Sequence, residues 1–439
     1  MPTAEKLVKK VTKDSKKLEK QLIAQGDYDY TVIYRYPYTV RIREGIIMKK
    51  LLVVLAMLLL VCSAASAQTA SVVETGAGIS VIPAAQWAEA APDVYASYMK
   101  NEENSAIIDH VEEYPMIATV YEGMAFNKFY GSARGHYYTV QDVTSTGRPH
   151  KLANCFTCKT PDFTVKVNND GVSAYTLAFE DVLADVNESV SCYNCHANTG
   201  KDIVITHTYL ADAMGEDLAN VKAATLACAQ CHVEYYFDPE TKATTLPYSS
   251  LATMNPDDIY AFFAETNFTD YTNPRTGVAQ IKVQHPEFET FMGEGSVHKS
   301  QFSCADCHMA KETNAAGETY VSHEWVSPLA SETIKATCAA CHADLDGFVK
   351  GIQAHAEERT VAIGTKLETL TNQLADMVAS GKYTDEELAQ IRELNRKGQF
   401  YWDFVFVENS EGAHNSKLTE ECLNKAEELI DQALGLIKA

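Results

Sequence analysis

The sequence predicts a mostly α-helical fold with few strands and long helices at its C-terminal end. Three observations predict it. Residues 343–380 and 385–409, and a segment from about Ser416 to Leu436, carry apolar side chains at helical spacing. No stretch of useful length alternates apolar and polar residues as a half-buried strand does. Between residues 155 and 342, five Cys-x-x-Cys units are separated by loops rich in Asn, Asp, Thr and Gly, which implies short regular elements there.

Along the chain, residues 1–47 form a basic, lysine-rich stretch ahead of a second methionine. Residues 48–67 (MKKLLVVLAMLLLVCSAASA) read as a secretory signal, with Lys49 and Lys50, a short apolar run and Ala65-Ser66-Ala67. The run is shorter than the ~20 residues that span a bilayer, so cleavage after Ala67 is expected over a permanent anchor. Val61 before Cys62 makes a poor lipoprotein box. Translation is therefore expected to start at Met48, with a cytoplasmic extension as the alternative, and the mature protein to be exported to the periplasm.

Short helices are expected over Pro83–Asn101 and Glu112–Lys128, then a glycine-rich turn at Gly131–Gly135. Residues 68–342 are expected to form one region holding all five Cys-x-x-Cys units, and residues 343–439 the long helices. After Gly381, Thr384 and Glu387 make a capping box. Leu367, Leu370, Leu374 and Met377 form one stripe, and Tyr401, Phe404 and Phe406 add aromatics. These faces are expected to pack on the rest of the chain and to build a homodimer interface. Cys422 is expected to be buried as a small apolar residue.

Charge narrows the function. Taking the 12 basic and 6 acidic residues of positions 1–67 from the chain's 37 and 59 leaves a net charge of −28. Such a surface argues against nucleic acid and anionic lipid. A small anionic substrate would need a locally positive mouth.

Ten of the 12 cysteines lie in the five units. Four units end in histidine: Cys192, Cys195, His196; Cys228, Cys231, His232; Cys304, Cys307, His308; and Cys338, Cys341, His342. Zinc binds Cys-x-x-Cys pairs, but it does not require a histidine directly after the second cysteine four times over. C-x-x-C-H is the attachment motif of c-type haem, so the chain reads as a multihaem cytochrome c with a haem-packed core. The first unit, Cys155, Cys158, Lys159, ends in lysine instead. An amine behind one iron, with no second protein ligand, points to an open position for a small molecule. Of the 13 histidines, nine remain outside the motifs, and spacing alone does not say which four would be second ligands.

The lysine unit followed by four histidine units resembles the pentahaem cytochrome c nitrite reductases that form ammonia, over roughly residues 110–420. Further resemblances are Arg134-Gly135-His136, His232-Val-Glu234-Tyr235, Lys282-Val-Gln284-His285-Pro286, Ser322-His323-Glu324-Trp325 and Gly412-Ala-His414-Asn415. The resemblance implies that Lys159 backs the active haem. It pairs His196 with His323, His232 with His136, His308 with His414 and His342 with His298. It implies catalytic roles for Arg148, Tyr235 and His285, with Arg134 as the fallback arginine. It also implies one calcium ion held by Glu234, Gln284 and the carbonyls of Tyr235 and Lys282. His285 is the expected proton donor because an unperturbed imidazole titrates near neutrality.

The implied reaction is six-electron reduction of nitrite to ammonium. Electrons are expected from a membrane quinol-oxidising multihaem cytochrome or a soluble cytochrome. Two rivals are an electron-transfer cytochrome without catalysis and a multihaem enzyme acting on sulfite or hydroxylamine.

Overall fold

The structure, a computed structural model, describes residues 69–438. The segments read above as an upstream extension and a signal sequence, with Cys62, lie outside the described residues.

The three C-terminal helices follow the sequence closely. The first spans Leu345–Ser380 and ends on Gly381, whose φ of 63° is the left-handed conformation a glycine C-cap supplies. The second, Asp385–Phe406, opens on the capping box: the Thr384 amide donates to Glu387 Oε2 at 2.7 Å and the Glu387 amide donates to Thr384 Oγ1 at 3.3 Å. The third is Ser416–Lys438. Leu367, Leu370, Leu374, Ile391, Trp402, Ala426 and Ile430 are buried in one core shared by all three. The Trp402 indole donates to the Thr360 carbonyl at 2.8 Å. Gly364 admits that ring, since a Cβ there would meet it at 3.0 Å. The leucine stripe is thus covered by the chain's own helices, and Cys422 is buried in the same core.

That core continues well beyond the helices. Ile117, Tyr121, Leu210, Leu226, Ile259, Phe263 and Val283 belong to it, so aliphatic and aromatic packing persists among the cysteine motifs. A smaller cluster of Phe156, Phe163, Tyr175, Phe179 and Val182 lies around the first motif, with Phe156 stacked on Phe179 at 4.4 Å.

The N-terminal region is more broken than the sequence suggests. The stretch expected to be helical from Pro83 becomes a 3-10 turn at Ala84–Ala88, a helix at Pro92–Met99 and a 3-10 turn at Lys100–Glu103. Pro92 cannot sit inside a helix and takes its first position. The next stretch divides into His110–Glu113 and Ile117–Val120 around Pro115, which disfavours helical backbone at Tyr114. Strands among the described residues form four two-stranded pairs. The antiparallel pairs join neighbouring segments, such as Tyr236–Phe237 with Thr244–Thr245. The parallel pair brings Ser71–Val72 to Val204–Ile205.

Candidate active site

Each cysteine motif is set by its local sequence. The helix Cys304–His308 is capped by Ser303 and Asp306: the Ser303 amide donates to Asp306 Oδ2 at 2.9 Å, and the Asp306 amide donates back to Ser303 Oγ at 3.3 Å. At Cys192–His196 the Ser191 amide donates to Asn194 Oδ1 at 3.0 Å. In these two motifs an intervening residue therefore caps the helix that carries the cysteines and histidine. Thiols of different motifs also approach one another. Cys158 comes close to Cys231, and Cys304 to Cys228. None of the ten motif cysteines is in a disulfide.

Four histidine pairs face one another with ring centres 6.1 Å apart: His136 with His232, His196 with His323, His298 with His342, and His308 with His414. A metal bound on both sides through nitrogen at about 2.0 Å leaves ring centres about 6 Å apart, so the spacing fits one iron per pair. The far side of several rings is anchored, as ligand histidines are. Nδ1 of His196 meets the Asp202 carbonyl at 3.1 Å, His308 the Val326 carbonyl at 2.9 Å, His323 the Val321 carbonyl at 3.0 Å and His414 the Glu408 carboxylate at 2.6 Å. Burial works against a charged His414, but Glu408 lifts it to about 9. Burial holds His308 down at about 4. Trp325 lies edge-on to His136 at 4.3 Å and reaches His323 at 6.0 Å, linking two of the pairs.

Lys159 stands where the other four motifs carry their histidine. Its amide donates to the Phe156 carbonyl at 2.9 Å and its carbonyl accepts from Thr139 Oγ1 at 2.7 Å, just before Thr160 caps the helix Pro161–Asp170. The other candidate residues gather around this motif. Burial lowers the Arg148 guanidinium while Tyr130, Tyr235 and Cys155 act on it in the opposite sense. Arg148 donates to the Phe129 carbonyl at 3.1 Å and lies over the Phe126 ring at 3.8 Å. Burial raises the Tyr235 phenol well above its usual range, with Cys158, Cys155 and Glu234 adding and Arg148 opposing. It therefore keeps its proton.

His285 corrects one expectation. Burial lowers its imidazole, with Lys159 and His232 adding to the effect and Glu287 opposing it. The neutral imidazole, an N–H donor, is thereby favoured at neutral pH. Arg134, the fallback, is committed elsewhere: it donates to Asp142 Oδ1 at 3.0 and 2.6 Å and to Gln141 Oε1 at 3.0 Å, and it stacks on Tyr138. Gly135 beside it has φ 94°, the turn that presents His136.

The residues expected at calcium also meet. Glu234 is fully buried; Oε2 accepts from the Gln284 amide at 2.6 Å, while Oε1 has no hydrogen-bond partner. Gln284 Nε2 donates to the Lys282 carbonyl at 2.9 Å. An orphaned, buried carboxylate oxygen beside a carbonyl and an amide suits a hard cation. Among the described residues, no group of three or more His, Cys, Asp or Glu could hold a metal alone.

Sequence reasoning missed Glu287, which lies 3.7 Å from His232 Nδ1 and 3.9 Å from His285 Nδ1 and accepts from Asn409. Its place two residues after His285 was the available signal. It also missed His207, buried beside Cys231 at 3.7 Å and stacked on Tyr209. The other unassigned histidines lie apart: His110 pairs with Glu113 at 3.2 Å, His355 with Glu420 at 2.8 Å, and His150 is exposed.

Fold and paired rings define a multihaem c-type cytochrome with five attachment motifs. The sequence matches the cytochrome c552 family over residues 83–439, and the chain belongs to that family. The cytochrome c nitrite reductase subunit NrfA of Nitratidesulfovibrio vulgaris is 29% identical over 405 residues, 79% of this chain and 76% of that protein. Cytochrome c-552 of Bacteroides fragilis is 28% identical over 371 residues, 79% and 72% of the two chains. The solved cytochrome c nitrite reductase of Desulfovibrio desulfuricans, whose catalytic subunit has two calcium sites, superposes with a TM-score of 0.70 at 26% identity, covering 81% of this chain and 85% of that one.

Proposed function

We propose that this chain is an ammonia-forming cytochrome c nitrite reductase, with catalysis at the haem held by Cys155, Cys158 and Lys159. One observation carries the reading: four motif histidines face a second histidine at 6.1 Å, whereas the lysine motif has Arg148, Tyr235 and His285 nearby instead. The haem that Cys155, Cys158 and Lys159 would hold would supply an iron to bind nitrite and the electrons to reduce it. The net change takes up six electrons and eight protons and releases ammonium and two waters.

Around that position, Arg148 offers a charged donor to the anion, and charge-assisted bonds are the strong ones. His285 and Tyr235 offer neutral N–H and O–H donors to nitrite oxygens, placed where charge develops in the reaction. Arg148 also supplies local positive charge against the acidic exterior. Calcium on Glu234, Gln284 and the carbonyls of Tyr235 and Lys282 would hold the Tyr235 and His285 segments together. His196 with His323, His232 with His136, His308 with His414 and His342 with His298 would ligate the four conducting haems.

The electron donor is read as a membrane quinol-oxidising multihaem cytochrome or a soluble cytochrome. Export to the periplasm and a homodimer through the long helices complete the proposal. Among the described residues no helix is long and apolar enough to cross a membrane.

The test is to purify the exported protein, weigh it and assay nitrite with a reduced viologen dye. Five haem masses and one ammonium per nitrite support the reading. Nitrite left unconsumed by the fully loaded protein contradicts it.

A further inference from the structure

Lys282 entered the sequence reading for its carbonyl alone, yet its side chain has a defined place. It is 2% exposed, and Nζ donates to Asp403 Oδ1 at 3.0 Å and Oδ2 at 3.2 Å and to the Val283 carbonyl at 2.7 Å. Asp403 lies in the helix Asp385–Phe406 and is fully buried. The same carboxylate accepts from the Val283 amide at 2.9 Å and from the Tyr121 hydroxyl.

The ammonium group lies 4.9 Å from the Tyr121 ring centre, 5.7 Å from that of Tyr130 and 5.8 Å from that of Phe126. Phe126 is also the ring over which the Arg148 guanidinium sits at 3.8 Å. One carboxylate thus grips the segment that continues into Gln284 and His285, and through Lys282 it borders the aromatic group that carries Arg148.

A buried ion pair contributes little net stability against a well-packed apolar replacement. What it does provide is direction, because a carboxylate with three donors around it admits one arrangement of the backbone that supplies them. We propose that Asp403 is a positioning residue of the active site, holding Lys282–His285 and, through the Lys282 ammonium and Phe126, Arg148 in the geometry that receives nitrite. The inference rests on the nitrite reading above and adds a residue that touches neither substrate nor haem.

The test uses the full haem-loaded protein, with nitrite titrated by the visible spectrum and kcat and KM measured alongside. Asp403→Asn keeps the shape but removes the charge facing Lys282 and turns one of the two acceptor oxygens into an N–H donor. The expected result is five haems retained, with the nitrite dissociation constant raised about tenfold or more and kcat reduced by a similar factor, the range seen when outer supporting groups are lost. A variant that melts earlier but binds and reduces nitrite as wild type does would overturn the inference, since a merely structural carboxylate predicts that pattern.

If Asp403→Asn yields no haem-loaded protein, Tyr121→Phe decides, because it removes one hydroxyl and no charge. A rise of about threefold in the nitrite constant supports positioning, and an unchanged constant overturns it. Wild-type protein that makes no ammonium breaks the functional reading, whereas an active wild type beside unaltered variants breaks this inference alone.

Discussion

The cysteine-motif region and the three helices that follow it are ordered by different means. In residues 345–438 the elements are 36, 22 and 23 residues long, and their apolar stripes bury one another. In residues 155–342 no helix exceeds the ten residues of Pro161–Asp170 and Pro256–Glu265. There the chain is pinned by caps, turns and side chains that meet from distant positions. The helical part is stabilised locally and would tolerate conservative core changes. The motif part has its function written into single contacts, so one substitution can abolish chemistry while leaving the fold intact.

That contrast can be broken from either side. The largest effects on chemistry are expected in the motif region. Lys159→His should keep five haems by mass yet lower kcat about 100-fold, because it changes the ligand that sets the active iron's reactivity. Turnover at the wild-type rate would make the lysine incidental. Arg148→Gln should lower kcat/KM by roughly 100-fold, the usual loss when a charged donor to the reacting group is removed. An unchanged value would return attention to Arg134.

Glu234→Gln should release the bound calcium, read by metal analysis, and reduce activity about tenfold. Full metal content in the variant would place calcium elsewhere.

In the helical part, away from Asp403 and His414, the expectation reverses. Leu367→Ala, at a fully buried position, should destabilise by about 2–5 kcal/mol and lower the Tm, with the nitrite dissociation constant unchanged. Smallest of all, Thr384→Ala removes the capping box and should lose about 1 kcal/mol. If either change altered nitrite binding, the helical part would act on the site through more than the Asp403 contact.

The same division decides what the sequence revealed. The capping box at Thr384 and Glu387, the stop at Gly381 and the leucine stripe are local patterns, and the structure has all of them. The break at Pro115 was also local, but helical spacing in Glu112–Lys128 masked it. The haem motifs were legible because attachment chemistry demands a fixed spacing. The second histidines were not legible from spacing: the ring facing His196 is His323 and the ring facing His308 is His414, and only a family resemblance picked them out.

Asp403 and Lys282 stand 121 positions apart. An aspartate inside a helical pattern looks like a solvated face until the tertiary structure closes over it. The lowered His285 imidazole was likewise out of reach, since burial and the approach of Lys159 and His232 are properties of the fold.

The most direct measurement is the electron paramagnetic resonance spectrum of the oxidised, fully loaded protein, recorded before and after nitrite is added. The account predicts four low-spin haems and one high-spin haem, with nitrite changing only the high-spin signal and Lys159→His altering that same signal. Five low-spin haems indifferent to nitrite would contradict it and leave an electron carrier in place of an enzyme.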